Sequence, residues 1–159
     1  MASDRGASAT PILVSPSLAR PAPRPLRGAI RLLETLGHGA LTEFPLRSGR
    51  RADILSIGMK GEVWIVEVKS GVSDFRADHK WQDYLEWCDR FFFAVGPGFP
   101  QEILPPEAGL IVSDEYEAVM LREPDVSPLA ASRRKSLTLR FALLAARRLS
   151  GRDDPIFPV

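Results

Sequence analysis

The chain has 159 residues and a mass of 17.6 kDa, the size of one domain with a short tail. At 45% hydrophobic and 26% charged residues it is neither collagen-like nor wholly disordered, and no apolar run nears the ~18–20 residues that cross a bilayer. A single cysteine, Cys88, and two histidines, His38 and His79, exclude an internal disulfide and argue against a Cys- or His-rich zinc site.

Residues 1–25 are rich in Ala, Ser, Pro and Arg, and five prolines between Pro11 and Pro25 exclude a regular helix or central strand. A flexible tail is expected there, with no signal-peptide core after Asp4 and Arg5, hence a cytoplasmic protein. An ordered domain is expected over 26–150 and a short tail over 151–159. Leu26, Ile30 and Leu33 recur at helical spacing before Gly37 and predict a helix over about 26–36.

Three apolar stretches follow: Ala40–Leu46, Ala52–Ile57 and Glu62–Lys69, separated by Ser48-Gly49 and by Gly58 with Gly61. They predict strands joined by hairpin turns. The third is β-branched and apolar on both faces until its end, the pattern of a central strand. Ser73 or Asp74 is then expected to cap a helix running to about Asp89. Arg90–Val95 reads as a buried strand, and Ala108–Val112 and Ala118–Leu121 as two more. The last element is a helix over about Ala131–Leu149 with Leu137, Phe141, Ala145 and Leu149 on one face and Arg133, Arg140 and Arg147 beside it. The expected order is αβββαβββα, an α+β or mixed-sheet fold.

The net charge of +1 hides an uneven distribution. Residues 1–27 carry +3. Residues 28–125 hold ten basic against seventeen acidic groups, and 126–152 hold seven basic groups with no acid. An acidic middle with basic ends suits a polyanion gripped by its backbone while acidic groups hold cations.

Side chains alternate along a strand, so Glu67 and Lys69 project from one face at the polar end of the third strand. A hairpin turn centred on Met59-Lys60 makes positions summing to about 119–120 face each other, which sets Asp53 beside Glu67. Two carboxylates so close repel unless a cation lies between them. Hard oxygen donors with open water positions suit Mg²⁺ or Mn²⁺. Lys69 beside them is placed to orient a water or hold a phosphate oxygen, which describes metal-assisted phosphodiester hydrolysis.

Arg51-Ala52-Asp53, a hairpin, then Glu67-Val68-Lys69, between two helices, resembles the PD-(D/E)XK nuclease superfamily. Leu41–Leu46, Arg50–Asp53, Val63–Ser70, Asp74–Trp81 and Asp89–Ala94 are similar, more narrowly, to the MmcB-type bacterial DNA-repair family within it. The likeness covers roughly residues 26–150, with Ala52 standing where the motif has proline. It implies a restriction-endonuclease-like αβββαβ core with a mixed sheet flanked by helices. It further implies Asp53 and Glu67 as Mg²⁺ or Mn²⁺ ligands and Lys69 as the catalytic lysine.

Superfamily members often add an acid from the first helix, for which Glu34 is the match; Glu43, in the adjacent strand, is its rival. Ser70 follows the motif and can hydrogen-bond a water or phosphate. Gln82 stands where some members keep a glutamine. Arg76, His79 and Lys80 crowd the second helix's opening turns, where the dipole favours a phosphate, and Arg76 and Lys80, with Arg133, Arg140 and Arg147, are the expected DNA contacts. Trp81 and Trp87 are expected in the core, as is Cys88. The implied partners are DNA, with repair proteins or a second copy of the chain, and no membrane. The function expected is metal-dependent DNA cleavage in repair; the alternative is a nuclease-fold accessory that binds DNA with little or no catalysis.

Overall fold

The computed structural model describes residues 24–153. Its elements run α1 (Arg24–Thr35), β1 (Gly39–Pro45), β2 (Arg51–Ile57), β3 (Val63–Lys69), α2 (Val72–Ala77), β4 (Arg90–Val95), β5 (Gly109–Ser113), β6 (Ala118–Arg122) and α3 (Ala131–Asp153), with 3₁₀ turns at Trp81–Trp87 and Gln101–Ile103. The expected tail lies outside the described residues up to position 23, as do positions 154–159. α3 continues through Asp153, three residues beyond the expected domain edge.

The six strands form one mixed sheet in the order β1-β2-β3-β4-β5-β6. β1, β2 and β3 pair antiparallel, β3, β4 and β5 parallel, and β5 and β6 antiparallel. The mixed sheet with its flanking helices is an α+β architecture, consistent with a restriction-endonuclease-like fold. β3 is apolar on both faces because both are covered. Val63 and Ile65 join Phe91, Phe93, Trp81, Tyr84 and Leu137 on one side, and Val66 and Val68 join Phe92, Ile111, Ala29 and Leu33 on the other. Gly28 lets α1 close on the β5–β6 turn, since a Cβ there would overlap Ser113 Oγ and the Glu117 carbonyl.

Two expectations are corrected. The helix predicted from Ser73 or Asp74 to Asp89 is two pieces, a six-residue α2 and the 3₁₀ turn Trp81–Trp87, with Asp78 extended between them. Asp78 breaks the helix because its Oδ1 accepts the Lys80 N–H, a local bond that replaces helical pairing. The residue at the N-cap of α2 is Gly71. In α3, Leu137, Phe141 and Leu144 pack inward, whereas Leu149 is 57% exposed. Steps of four residues drift about 40° each, so Leu149 stands about 120° away from Leu137.

Candidate active site

The site forms at the C-terminal end of β3, where the β2–β3 ladder stops. Backbone pairing runs from Ile57↔Val63 to Ile54↔Val66. Beyond it, side chains take over the ladder's bonds. The Asp53 N–H donates to Glu67 Oε1 at 3.0 Å, and the Val68 N–H donates to Asp53 Oδ2 at 2.8 Å. Each carboxylate thus spends one oxygen on the neighbouring strand's backbone and keeps the other.

Glu67 is 5% exposed, and burial, reinforced by the Asp53 charge, pushes its pKa up to about 8. Burial also raises Asp53, against the pull of the Val68 N–H and Lys69. Lys69, likewise 5% exposed, donates from Nζ to Asp78 Oδ2 at 2.6 Å. Burial alone would raise the Asp78 carboxyl, but its bonds from Lys69 and the Lys80 N–H outweigh this and lower it. A cavity of about 260 Å³ opens on the pair, lined by Leu26, Glu43, Asp53, Glu67, Lys69 and Asp74, together with Val68.

The other predicted residues divide. Glu43 lines the cavity, in a left-handed conformation (φ 53) between the paired β1 residues Thr42 and Phe44, and its carboxylate pairs with Arg51. A non-glycine residue held there is strained by about 1 kcal/mol or more. Glu34 is exposed near the end of α1, whereas Leu26, about 12 Å back along the axis, reaches the cavity. Glu34 is therefore not brought to the pair. Ser70 is exposed and donates, from both N–H and Oγ, to Asp74 Oδ2 at 2.9 and 3.0 Å. Arg76, His79 and Gln82 line a second cavity of about 520 Å³ with Phe75, Asp78 and Trp81, joined to the first through the Asp78–Lys69 pair. Lys80 is exposed beside it.

The Arg133–Arg140–Arg147 stripe is not one surface. Arg133 donates to the Glu86 carbonyl and lies 4.6 Å from the Trp87 ring centre. Arg140 donates to the Pro45 carbonyl at 2.6 Å and lies over Phe44. Arg147 is exposed. Trp81 is buried, and Trp87 is half-buried with Arg133 over its ring. Burial pushes the Cys88 thiol up to about 12 and leaves it unreactive.

Asp78 and Asp74 were not foreseen. The signal for Asp78 is local: an aspartate followed by His79 and Lys80, with no apolar residue to continue the helix face. The donor set fits a hard divalent cation to a limited degree. Two carboxylates converge, each with one uncommitted oxygen, but among the described residues no group of three or more His, Cys, Asp or Glu side chains is arranged to hold a metal.

The family model "DNA repair protein MmcB-like" matches residues 17–156, nearly the whole chain. The chain belongs to the MmcB-like DNA repair protein family. A solved structure described as "SPO1766 protein of unknown function from Silicibacter pomeroyi" is 47% identical, with a TM-score of 0.82, covering 86% of this chain and 93% of that one. No curated protein matches. Membership in the MmcB-like family carries a role in DNA repair, and so an involvement with DNA. No helix among the described residues is long and apolar enough to cross a membrane.

Proposed function

We propose that this MmcB-like chain is a PD-(D/E)XK-type nuclease that cuts DNA phosphodiester bonds in repair, with Mg²⁺ or Mn²⁺ as cofactor. The observation that carries the reading is half-buried Asp53 beside buried Glu67 and Lys69 around one small cavity. Two adjacent acids, one buried and one half-buried, are costly unless a cation or proton neutralises them, and the high pKa of Glu67 expresses that cost. The uncommitted oxygens of Asp53 and Glu67 would hold the cation, which when bound activates water and offsets phosphate charge. Lys69, held by Asp78, would meet the charge that develops on the scissile phosphate. Arg76, Lys80 and Arg147 are exposed and available to backbone phosphates, and a cytoplasmic setting accords with a DNA substrate.

One observation favours a second reading, a DNA-binding accessory of repair with weak catalysis: no third acid completes the metal set among the described residues. A cleavage panel over single-stranded, nicked, flapped and branched DNA with Mg²⁺ or Mn²⁺ decides between them. Cutting by wild type that disappears in Asp53→Asn supports the nuclease. DNA binding without cutting on any substrate supports the accessory.

A further inference from the structure

The buried side of α3 is accounted for by Leu137, Phe141 and Leu144, which lie within about 60° of one another around the helix. The opposite side faces solvent yet is nearly free of charge. Ser132, Lys135, Leu139, Ala142, Ala146 and Leu149 are all exposed, and they recur at steps of 3, 4, 3, 4 and 3. That is heptad spacing over five intervals, with leucine or alanine at four of the six positions. Leu139 and Leu149 are each 57% exposed, and Leu143, beside the seam, is 59% exposed. A solvent face of a helix ordinarily carries charge, and along this seam only Lys135 does so, with exposed Arg147 and Arg152 falling to either side of it.

We propose that this outer face of α3 is a homodimer interface, an antiparallel two-helix coiled coil made with a second copy of the chain. The seam is complementary to itself in one register. Run antiparallel, Leu149 meets Ser132, Leu139 meets Ala142, and Lys135 meets Ala146, each contact occurring twice about a two-fold axis. Every long side chain therefore opposes a small one, alanine twice and serine once, the alternation of large and small that lets facing layers interdigitate. The serine falls at the outer end of the seam, where its hydroxyl stays in reach of water.

A parallel pairing would instead set Lys135 against Lys135 and leave Ala146 against Ala146 as a gap. The flanking positions Ala131, Ser136, Thr138, Leu143, Ala145 and Ser150 are uncharged, so none of them repels across the seam. The arginines of the +7 segment do not contradict self-association. Arg134 turns inward to Asp89, Arg133 to Glu86 and Arg140 to the Pro45 carbonyl, away from the seam. An open groove of about 400 Å³ between Leu129 and Leu139 continues the strip past the first turns.

Sedimentation velocity on the full chain from about 1 to 200 μM tests the interface. The expected result is a monomer–dimer equilibrium for wild type, with Leu139→Glu and Ala142→Glu weakening dimerisation at least ~10-fold as central seam residues. Both side chains are exposed, so the variants keep the wild-type far-UV circular dichroism. A wild type that is monomeric throughout, or variants that dimerise as well as wild type, overturns the proposal. Orientation is read by cysteine pairing, since Cys88 is only 2% exposed and silent. A mixture of Leu139→Cys and Ala142→Cys proteins should form the disulfide dimer that neither forms alone. Efficient crosslinking of Ala142→Cys by itself would overturn the antiparallel register.

Discussion

Asp53 and Glu67 each complete the other strand's backbone: the Asp53 N–H bonds Glu67 Oε1, and Asp53 Oδ2 takes the Val68 N–H. The β2–β3 ladder, whose backbone pairing ends at Ile54↔Val66, thus continues through carboxylates. This fixes two acids at the sheet's end without lending them a positive partner of their own, because Lys69 is engaged by Asp78.

A pH dependence of stability follows. Glu67 titrates near 4.5 when unfolded and at about 8 when folded, so the folded state binds the extra proton between those values. Its stabilising effect is complete below pH 4.5 and is lost as pH rises through about 8, amounting to a few kcal/mol on the order of that shift. Metal-free wild type should therefore melt at lower temperature at about pH 8.5 than at about pH 6. Glu67→Gln, which keeps an acceptor for the Asp53 N–H, should remove most of that difference. Scanning calorimetry at both pH values checks it, and equal slopes for the two proteins would refute the assignment.

The Lys69–Asp78 pair has a different signature. Both groups are largely out of water, so removing either leaves an unpaired buried charge and costs about 3–5 kcal/mol. Asp78→Ala should destabilise by about that much in urea titration. The double change Lys69→Met with Asp78→Leu should recover most of the loss, because no charge is then stranded. Additive losses in the double variant would show that the two groups act independently.

The hairpin and its consequence were legible in the sequence. Gly58 and Gly61 bracket the turn, the summed positions of the paired residues come out at 120, and the period-2 alternation of β3 makes Glu67 and Lys69 neighbours. Strand order was legible to the extent that short connections keep consecutive strands adjacent. What escaped were effects carried by single side chains reaching across sequence. Asp78 ends α2 by bonding Lys80 and then finds Lys69, nine residues back, and no periodicity reports a partner on another element. The partners of the α3 arginines were hidden for the same reason: spacing of seven gives a stripe, but the Glu86 and Pro45 carbonyls that take Arg133 and Arg140 belong to a 3₁₀ turn and a strand far away in sequence.

Asp89 is the joint between α3 and the sheet. Its carboxylate accepts from the Val63 and Leu129 N–H groups at 2.7 and 2.9 Å and takes both terminal nitrogens of Arg134 at 2.7 Å. Burial works against the charge, but these donors outweigh it and hold the Asp89 pKa below its ordinary value. Its contribution is present above the unfolded pKa near 3.8 and is lost as pH falls through the lower folded value. Asp89→Asn should cost about 2–3 kcal/mol at pH 7, as expected for losing charge-assisted bonds. The deficit relative to wild type should shrink below about pH 4. Urea titrations at neutral pH and at about pH 3 measure it, and a constant deficit would contradict the ionic role.

The three arginines of the α3 stripe now separate by experiment. If Arg147 meets a phosphate, Arg147→Gln should lower the slope of log affinity for DNA against log salt by about one counterion unit and leave the melting temperature unchanged. Arg140→Gln should do the reverse. It loses the bond to the Pro45 carbonyl and the contact over Phe44, so it should destabilise the fold by about 1–2 kcal/mol with little change in the salt slope. Fluorescence anisotropy across a sodium chloride series, paired with thermal melts, reads both quantities on the same samples. Equal losses of salt slope in the two variants would mean that Arg140 leaves Pro45 when DNA binds. A flat slope for Arg147→Gln against wild type would place the phosphate contacts elsewhere, with Arg76 and Lys80 beside the Asp78–Lys69 pair the next to be changed.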